Sequence, residues 1–233
     1  MTSGKFIVFE GGDGCGKTTQ ARLLFSLLNE NDISALFTRE PGGTSGAEEI
    51  RKLLVTGETG RWDKMTETLL FFAARRDHVE NLIKPCVDRG EWIICDRFSL
   101  STYAYQGYGY GLPISYIEGL YKFSIGDFYP DFTFVYDIET ELALERAKVR
   151  SESLNLNHKE SEDRYERMSD TFHKNVRRGF IEMARKMEQK SAIINSHNSI
   201  KNIHDVTVAK VNDLYNLSLV PYTKEKIDTI CSQ

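Results

Sequence analysis

Eight consecutive residues, Gly11-Gly12-Asp13-Gly14-Cys15-Gly16-Lys17-Thr18, satisfy the pattern GxxxxGK[ST], and their combined chemistry is the cradling of phosphate. Glycines let backbone N–H groups turn inward around phosphate oxygens, and a helix opening at Thr18 adds partial positive charge at its first turn. Lys17 is placed to reach β and γ phosphates, and the Thr18 hydroxyl suits Mg²⁺. The expected nucleotide contacts are therefore Gly11, Gly12, Asp13, Gly14, Cys15, Gly16, Lys17, Thr18 and Thr19. A second candidate stands in Cys95-Asp96-Arg97-Phe98. A carboxylate at a strand end beside such a cradle serves the metal and its waters, so Asp96 joins Thr18 as an expected Mg²⁺ residue. Asp96 alone would read as a helix cap.

Further cations gather at the ends of apolar runs. Thr38-Arg39-Glu40-Pro41-Gly42-Gly43-Thr44 follows one run, Arg97 another, and Arg75-Arg76 falls in a helical segment. One nucleotide triphosphate does not need so many guanidiniums. A second, monoester-type dianion opposite the cradle would use Arg39, Arg75 or Arg97, since the planar guanidinium fork matches phosphate oxygens. Each of the three could equally form a surface salt bridge.

These residues need a scaffold, and the chain has the composition for one: 233 residues, 40% hydrophobic and 27% charged, with five prolines. Disorder and collagen are excluded. Apolar runs at Phe6–Phe9, Ile33–Phe37, Trp92–Cys95, Phe132–Tyr136 and Ala192–Ile194 alternate with segments of helical period. That rhythm predicts an α/β fold, a five-stranded parallel sheet covered by helices on both faces, in one domain over residues 1–219. A long helix is expected from about Asp63 to Asp88, and two more at about Glu139–Arg150 and Glu162–Lys190. The Tyr103–Gly111 cluster and the polar Ser151–Ser161 stretch read as loops, the second as part of a lid over about residues 146–164. Pro221 is expected to end the last helix, leaving residues 220–233 as a tail with little apolar content.

The formal charge of −4 and the pI near 5.8 give no global basic field for nucleic acid or anionic membranes. Cys15, Cys86, Cys95 and Cys231 form no CxxC pair, so a structural metal is not expected and the thiols read as cytosolic. No run of eighteen apolar residues is present, and a cytoplasmic location is expected.

Over nearly its whole length the chain resembles the thymidylate kinases of the bacterial type. The likeness rests on Phe9-Glu10-Gly11, Thr38 to Thr44, Phe71-Phe72-Ala73-Ala74-Arg75, Asp96-Arg97-Phe98, Ser101 to Gly107, Gly126-Asp127-Phe128 and Pro130-Asp131. It implies the P-loop NTPase three-layer sandwich and transfer of the γ-phosphoryl of ATP, with Mg²⁺, to thymidine 5′-monophosphate (dTMP). By position, the resemblance implies that Phe71 stacks on thymine and that Arg75 contacts the base or its phosphate. Arg39 and Arg97 would hold the acceptor phosphate, and Ser101 and Thr102 would face the base. Tyr105 would pack beneath the deoxyribose, and Asp13 would lie near the 3′-hydroxyl. Phe71 as plain core stays an alternative, because its segment is apolar. The resemblance also implies a homodimer, with the Asp63–Asp88 helix as one candidate face.

One branch of this family carries a catalytic arginine in the P-loop, but here Asp13 is followed by Gly14 and Cys15. The other branch places it in the lid, which matches Arg146, Lys148 and Arg150, with Arg164 in reserve. Arg150 is the expected transition-state contact and Arg146 an expected ATP contact, together with the catalytic Lys17, Asp13 and Arg97. A kinase for another nucleoside monophosphate and a P-loop switch protein remain the alternatives.

Overall fold

The computed structural model describes residues 4–58, 60–153 and 164–232; the side chains of residues 150–153 are outside that description. Five strands, β1 (Phe6–Glu10), β2 (Ala35–Arg39), β3 (Trp92–Asp96), β4 (Phe132–Asp137) and β5 (Ser191–Asn195), form one parallel sheet in the order β2-β3-β1-β4-β5. From central β1 the chain builds one side of the sheet and then the other. The crevice that forms where the direction reverses therefore opens at the carboxyl end of β1, where the phosphate loop begins.

Side chains alternate across each strand, so the two faces receive different residues. Ile7, Phe9, Ile94, Phe134 and Tyr136 meet Leu23, Leu24, Leu27 and Leu28 of α1 (Lys17–Glu30) in one core cluster. Phe6, Val8, Ile93 and Cys95 meet Phe72, Val79 and Ile83 on the other face. The expected long helix is α3 (Lys64–His78), a π-helical turn at Val79–Ile83 and α4 (Lys84–Asp88) in continuous succession. Asp63 caps α3 by accepting from Met65 and Thr66 N–H. Between β2 and α3 lies α2 (Ser45–Val55), capped by Thr44.

Several boundaries differ from the sequence expectation. β2 starts two residues later than Ile33, because Ile33 N–H is taken by the Leu28 carbonyl at the end of α1, 3.0 Å away. The Tyr103–Gly111 segment is not a loop. After α5 (Ser99–Thr102) the backbone runs on as a π-helical stretch over Tyr103–Gly109, with α6 (Ile114–Ser124) beyond. Its glycines serve packing: a Cβ on Gly107 would lie 2.7 Å from Ile114 Cδ1. Beyond α7 (Thr140–Ser153), the helix expected from Glu162 is α8 (Asp170–Lys186), capped by the Ser169 hydroxyl, with turns over residues 164–167. α9 (Ile200–Tyr215) ends at Asn216 in the left-handed region, before Pro221 is reached.

The segment 220–232 is more than a polar tail. It carries α10 (Lys224–Cys231), whose Ile227 is 2% exposed and belongs to the same core cluster as α1. Tyr222 stacks on His204 with centroids 5.4 Å apart, and Lys226 pairs with Glu30 at 3.0 Å. Tyr222 and Ile227, five positions apart, sufficed, a pattern too sparse to register as an amphipathic stripe. Among the described residues no helix is long and apolar enough to cross a membrane. Because Ile227 fills a closed core, Ile227→Ala is expected to lower unfolding free energy by about 2–4 kcal/mol, measured by chemical denaturation. A loss within experimental error would show that α10 is not part of the core.

Candidate active site

The phosphate loop turns on two glycines in the left-handed region. Gly16 (φ 86°) delivers the chain into α1. Gly14 (φ 80°) lies so close to α7 that a Cβ there would meet the Ala143 carbonyl oxygen at 1.9 Å. Lys17 Nζ donates to the Gly12 carbonyl at 3.2 Å and stands 3.7 Å from Asp13, which holds its ammonium across the loop that such a motif wraps around phosphates. Cys15 is buried, and burial raises its thiol above the ordinary range, so it fills space here as a neutral group.

Across the loop, Thr18 Oγ1 donates a short hydrogen bond to Asp96 Oδ2. The other oxygen, Asp96 Oδ1, is buried without a hydrogen-bond partner among the described residues. One hydroxyl and one unsatisfied carboxylate oxygen suit Mg²⁺, which takes few protein ligands and completes its shell with waters and phosphate oxygens. Among the described residues no group of three or more His, Cys, Asp or Glu could hold a metal unaided.

Arg97 joins the loop to the second half of the site. Its backbone lies at φ 73°, which for a residue with a Cβ costs about 1–2 kcal/mol. In return its guanidinium donates to the Gly11 carbonyl (2.8 Å), Ser101 Oγ (3.0 Å) and Asp13 Oδ1 (2.6 Å). Tyr105 OH donates to Asp13 Oδ2 at 2.8 Å. Burial pushes the Tyr105 phenol well above its ordinary pKa, which keeps that proton in place.

A cleft of about 110 Å³ opens beside this knot, lined among others by Asp13, Arg51, Phe71, Arg75, Arg97, Ser101, Thr102, Tyr105 and Gln106. Phe71, unlike its neighbour Phe72, is only half-buried and shows the cleft an aromatic wall. Arg75 is 2% exposed, with its guanidinium 5.1 and 5.2 Å from the Phe72 and Phe98 ring centroids. It donates to Glu40 Oε2 (2.7 Å), Thr102 Oγ1 (3.1 Å) and the Phe98 carbonyl (3.0 Å). Glu40 in turn meets His78 Nδ1 at 3.2 Å, and His78 Nε2 meets Thr38 Oγ1 at 2.7 Å. A buried guanidinium so fixed is an anion and carbonyl receptor of set geometry.

The cleft gathers Asp13, Phe71, Arg75, Arg97, Ser101, Thr102 and Tyr105, the residues that the resemblance implied for the acceptor. Arg39 is not among its lining residues: half-exposed, it pairs with Glu48 at 3.3 Å, while Arg51 reaches the cleft and donates to the Pro41 carbonyl at 2.7 Å. Arg164, the reserve lid arginine, is instead a structural ion. It is 2% exposed, bound to Glu67 and donating to the Leu54 carbonyl, because a buried carboxylate requires a partner. Arg146 borders a second cleft with Lys17, Thr18 and Thr19 and donates to the Ser196 carbonyl at 3.3 Å. Lys148 is exposed on α7. The Arg150 side chain and most of the expected lid, residues 154–163, lie outside the described residues.

Three features escaped the sequence reading. The Glu67–Arg164 pair spans 97 positions and leaves no local signal, and Arg51 sits in a helix with no distinctive pattern. Glu10 did leave one: an acid ending a wholly apolar strand. It accepts from Phe98 N–H (2.8 Å), Ser101 N–H (3.0 Å) and Ser101 Oγ (2.6 Å), which anchors the turn carrying Arg97.

Fold and site together define a P-loop α/β protein that holds a nucleotide phosphate chain on one side and a small aromatic anion on the other. Residues 9–206 match the family model described as thymidylate kinase. A thymidylate kinase of Caulobacter vibrioides is 40% identical over 214 residues, covering 92% of this chain and 97% of that one. One of Dinoroseobacter shibae is 44% identical over 194 residues, covering 83% and 89%. The crystal structure of thymidylate kinase from Ehrlichia chaffeensis superposes with a TM-score of 0.70 at 36% identity, covering 91% of this chain and 99% of that one. The chain belongs to the thymidylate kinase family.

Burial pushes the Glu10 carboxyl up to about 7, against an ordinary value of 4.5, despite its three donors. Between those two values the folded protein keeps a proton that the unfolded chain has released. Glu10 therefore makes stability fall as pH rises from about 4.5 to 7, by on the order of 3 kcal/mol, and the loss is complete above that range. Glu10→Gln should remove this slope. Denaturation of both proteins from pH 4.5 to 8 tests it, and a wild-type-minus-variant difference that stays constant with pH would refute the protonation of Glu10.

Proposed function

We propose that the chain transfers the γ-phosphoryl of ATP to dTMP, giving dTDP and ADP for dTTP synthesis. The observation that carries this reading is the aromatic, arginine-based cleft meeting the phosphate loop at Asp13. A flat pyrimidine finds a ring face in Phe71 and hydrogen-bonding groups in Arg75, Ser101 and Thr102. In this reading Tyr105, held by its hydrogen bond to Asp13, packs beneath the deoxyribose and disfavours a 2′-hydroxyl, and Asp13 serves the 3′-hydroxyl. The acceptor phosphate falls to Arg97 with Arg51. Arg39 reaches it once its pair with Glu48 opens.

Phosphoryl transfer asks mainly for alignment and for positive charge over the transferring group. Gly11, Gly12, Gly14, Cys15 and Gly16 supply loop backbone to the ATP phosphates, Lys17 its ammonium, and Thr19 and Arg146 the outer side of the donor cleft. Thr18 and Asp96 hold Mg²⁺, which when bound offsets phosphate charge. Arg150, four residues beyond Arg146 on α7, supplies the transition-state cation, assisted by Lys148. The lid spans about residues 146–164, within a catalytic domain of residues 1–219, and a cytoplasmic location follows from the substrates. A homodimer fits the apolar side chains left outside on neighbouring helices, Leu69 (48% exposed) on α3 and Phe123 (90% exposed) on α6.

Coupled ADP production from ATP and Mg²⁺, with each nucleoside monophosphate in turn, is expected to be fastest with dTMP and abolished in Lys17→Ala. Arg150→Ala should lower turnover about a hundredfold. Faster turnover of another monophosphate would overturn the base assignment, and a change below about threefold in Arg150→Ala would overturn the cation's role. Light scattering should give twice the 26.7 kDa chain mass, and a monomer mass would exclude the dimer.

A further inference from the structure

The donor cleft has a wall that neither the P-loop nor α7 provides. The cleft, about 340 Å³ in size, is lined by Lys17, Thr18, Thr19 and Arg146 on the phosphate side and by Ile230 and Cys231 of α10 on the other. These last two are the only apolar side chains among the described residues that line it. Cations, hydroxyls and backbone suit a phosphate chain. A purine ring and ribose need a less polar surface to leave water against. The match to the family model ends at residue 206, so α10 lies outside it.

We propose that the last turn of α10 is a contact surface for the base–sugar end of the donor nucleotide, with Ile230 and Cys231 as its touching residues. The surface is firmly held. Thr223 caps α10 by accepting from Lys226 N–H, Ile227 is in the core, Lys226 pairs with Glu30, and Tyr222 stacks on His204. Ile230 is itself partly buried against the α1 core, so its exposed edge cannot swing away. α10 then sets donor affinity and leaves the acceptor cleft untouched, because no residue of α10 lines that cleft. The proposal rests on ATP being the donor.

Cys231 is also the reporter. It is exposed, whereas Cys15, Cys86 and Cys95 are buried, so N-ethylmaleimide acting on the folded chain reads Cys231 first, with the site confirmed by peptide mass spectrometry. A saturating non-hydrolysable ATP analogue with Mg²⁺ is expected to slow alkylation by about fivefold or more, and dTMP alone by less than about twofold. Cys231→Trp and Ile230→Ala should raise the KM for ATP about three- to tenfold with the KM for dTMP little changed, and for the exposed Cys231→Trp the thermal midpoint is little changed too. Calorimetry of the analogue separates the two readings. Analogue bound, Cys231 alkylated at the unprotected rate and ATP KM unchanged would overturn the α10 contact alone. No analogue bound and no dTMP-dependent turnover would overturn both.

Discussion

The site depends on one buried guanidinium. Arg97 ties the Gly11 carbonyl, Asp13 and Ser101 together within 3.0 Å, so the phosphate loop, the end of β3 and the start of α5 cannot move independently. Its left-handed backbone is the cost of that reach. Glu10 completes the arrangement from below by holding both N–H groups of the turn and the Ser101 hydroxyl. Deleting such a group leaves several buried polar atoms unpaired together, so its effects are expected to be non-additive.

The same logic separates the two clefts. On the acceptor side, charge is sunk into networks: Arg75 against Glu40 and His78, and Arg164 against Glu67 with Tyr165 and Gln106. Buried ion pairs contribute little net stability, since desolvation offsets attraction, but they fix donors in place. What faces the acceptor is then a rigid aromatic and amide surface with a few aimed N–H groups, which favours a neutral ring carrying one phosphate. On the donor side the cations Lys17, Arg22 and Arg146 line an open cleft, as a polyanion that enters and leaves requires.

What the sequence made legible follows from how local each signal is. The phosphate loop, Asp96 and the five strands announce themselves within four to eight residues, and the structure has them in place with shifts of one or two positions. The Phe71–Arg75 spacing puts both residues on one helix face, which the cleft lining bears out. Glycine and tyrosine misled at 103–109, because glycines that admit a close neighbour look the same in sequence as glycines that make a turn. Arg164 and Glu67, 97 residues apart, belong together only after folding. Ile227 and Tyr222 carry too few apolar neighbours to mark their segment as core.

The packing of α7 against the phosphate loop turns on Gly14. Here the Ala143 carbonyl of α7 occupies the space a Cβ on Gly14 would fill, at 1.9 Å, so α7 packs onto the loop where a side chain would otherwise leave it. That contact brings Arg146, three residues further on, to the rim of the donor cleft. Arg150 follows by four residues, about 6 Å along the axis and on the same helical face. The loop's glycine and the approach of α7 are thus one solution: the loop carries no side chain at Gly14, and α7 brings the Arg146 guanidinium to the rim of the cleft instead.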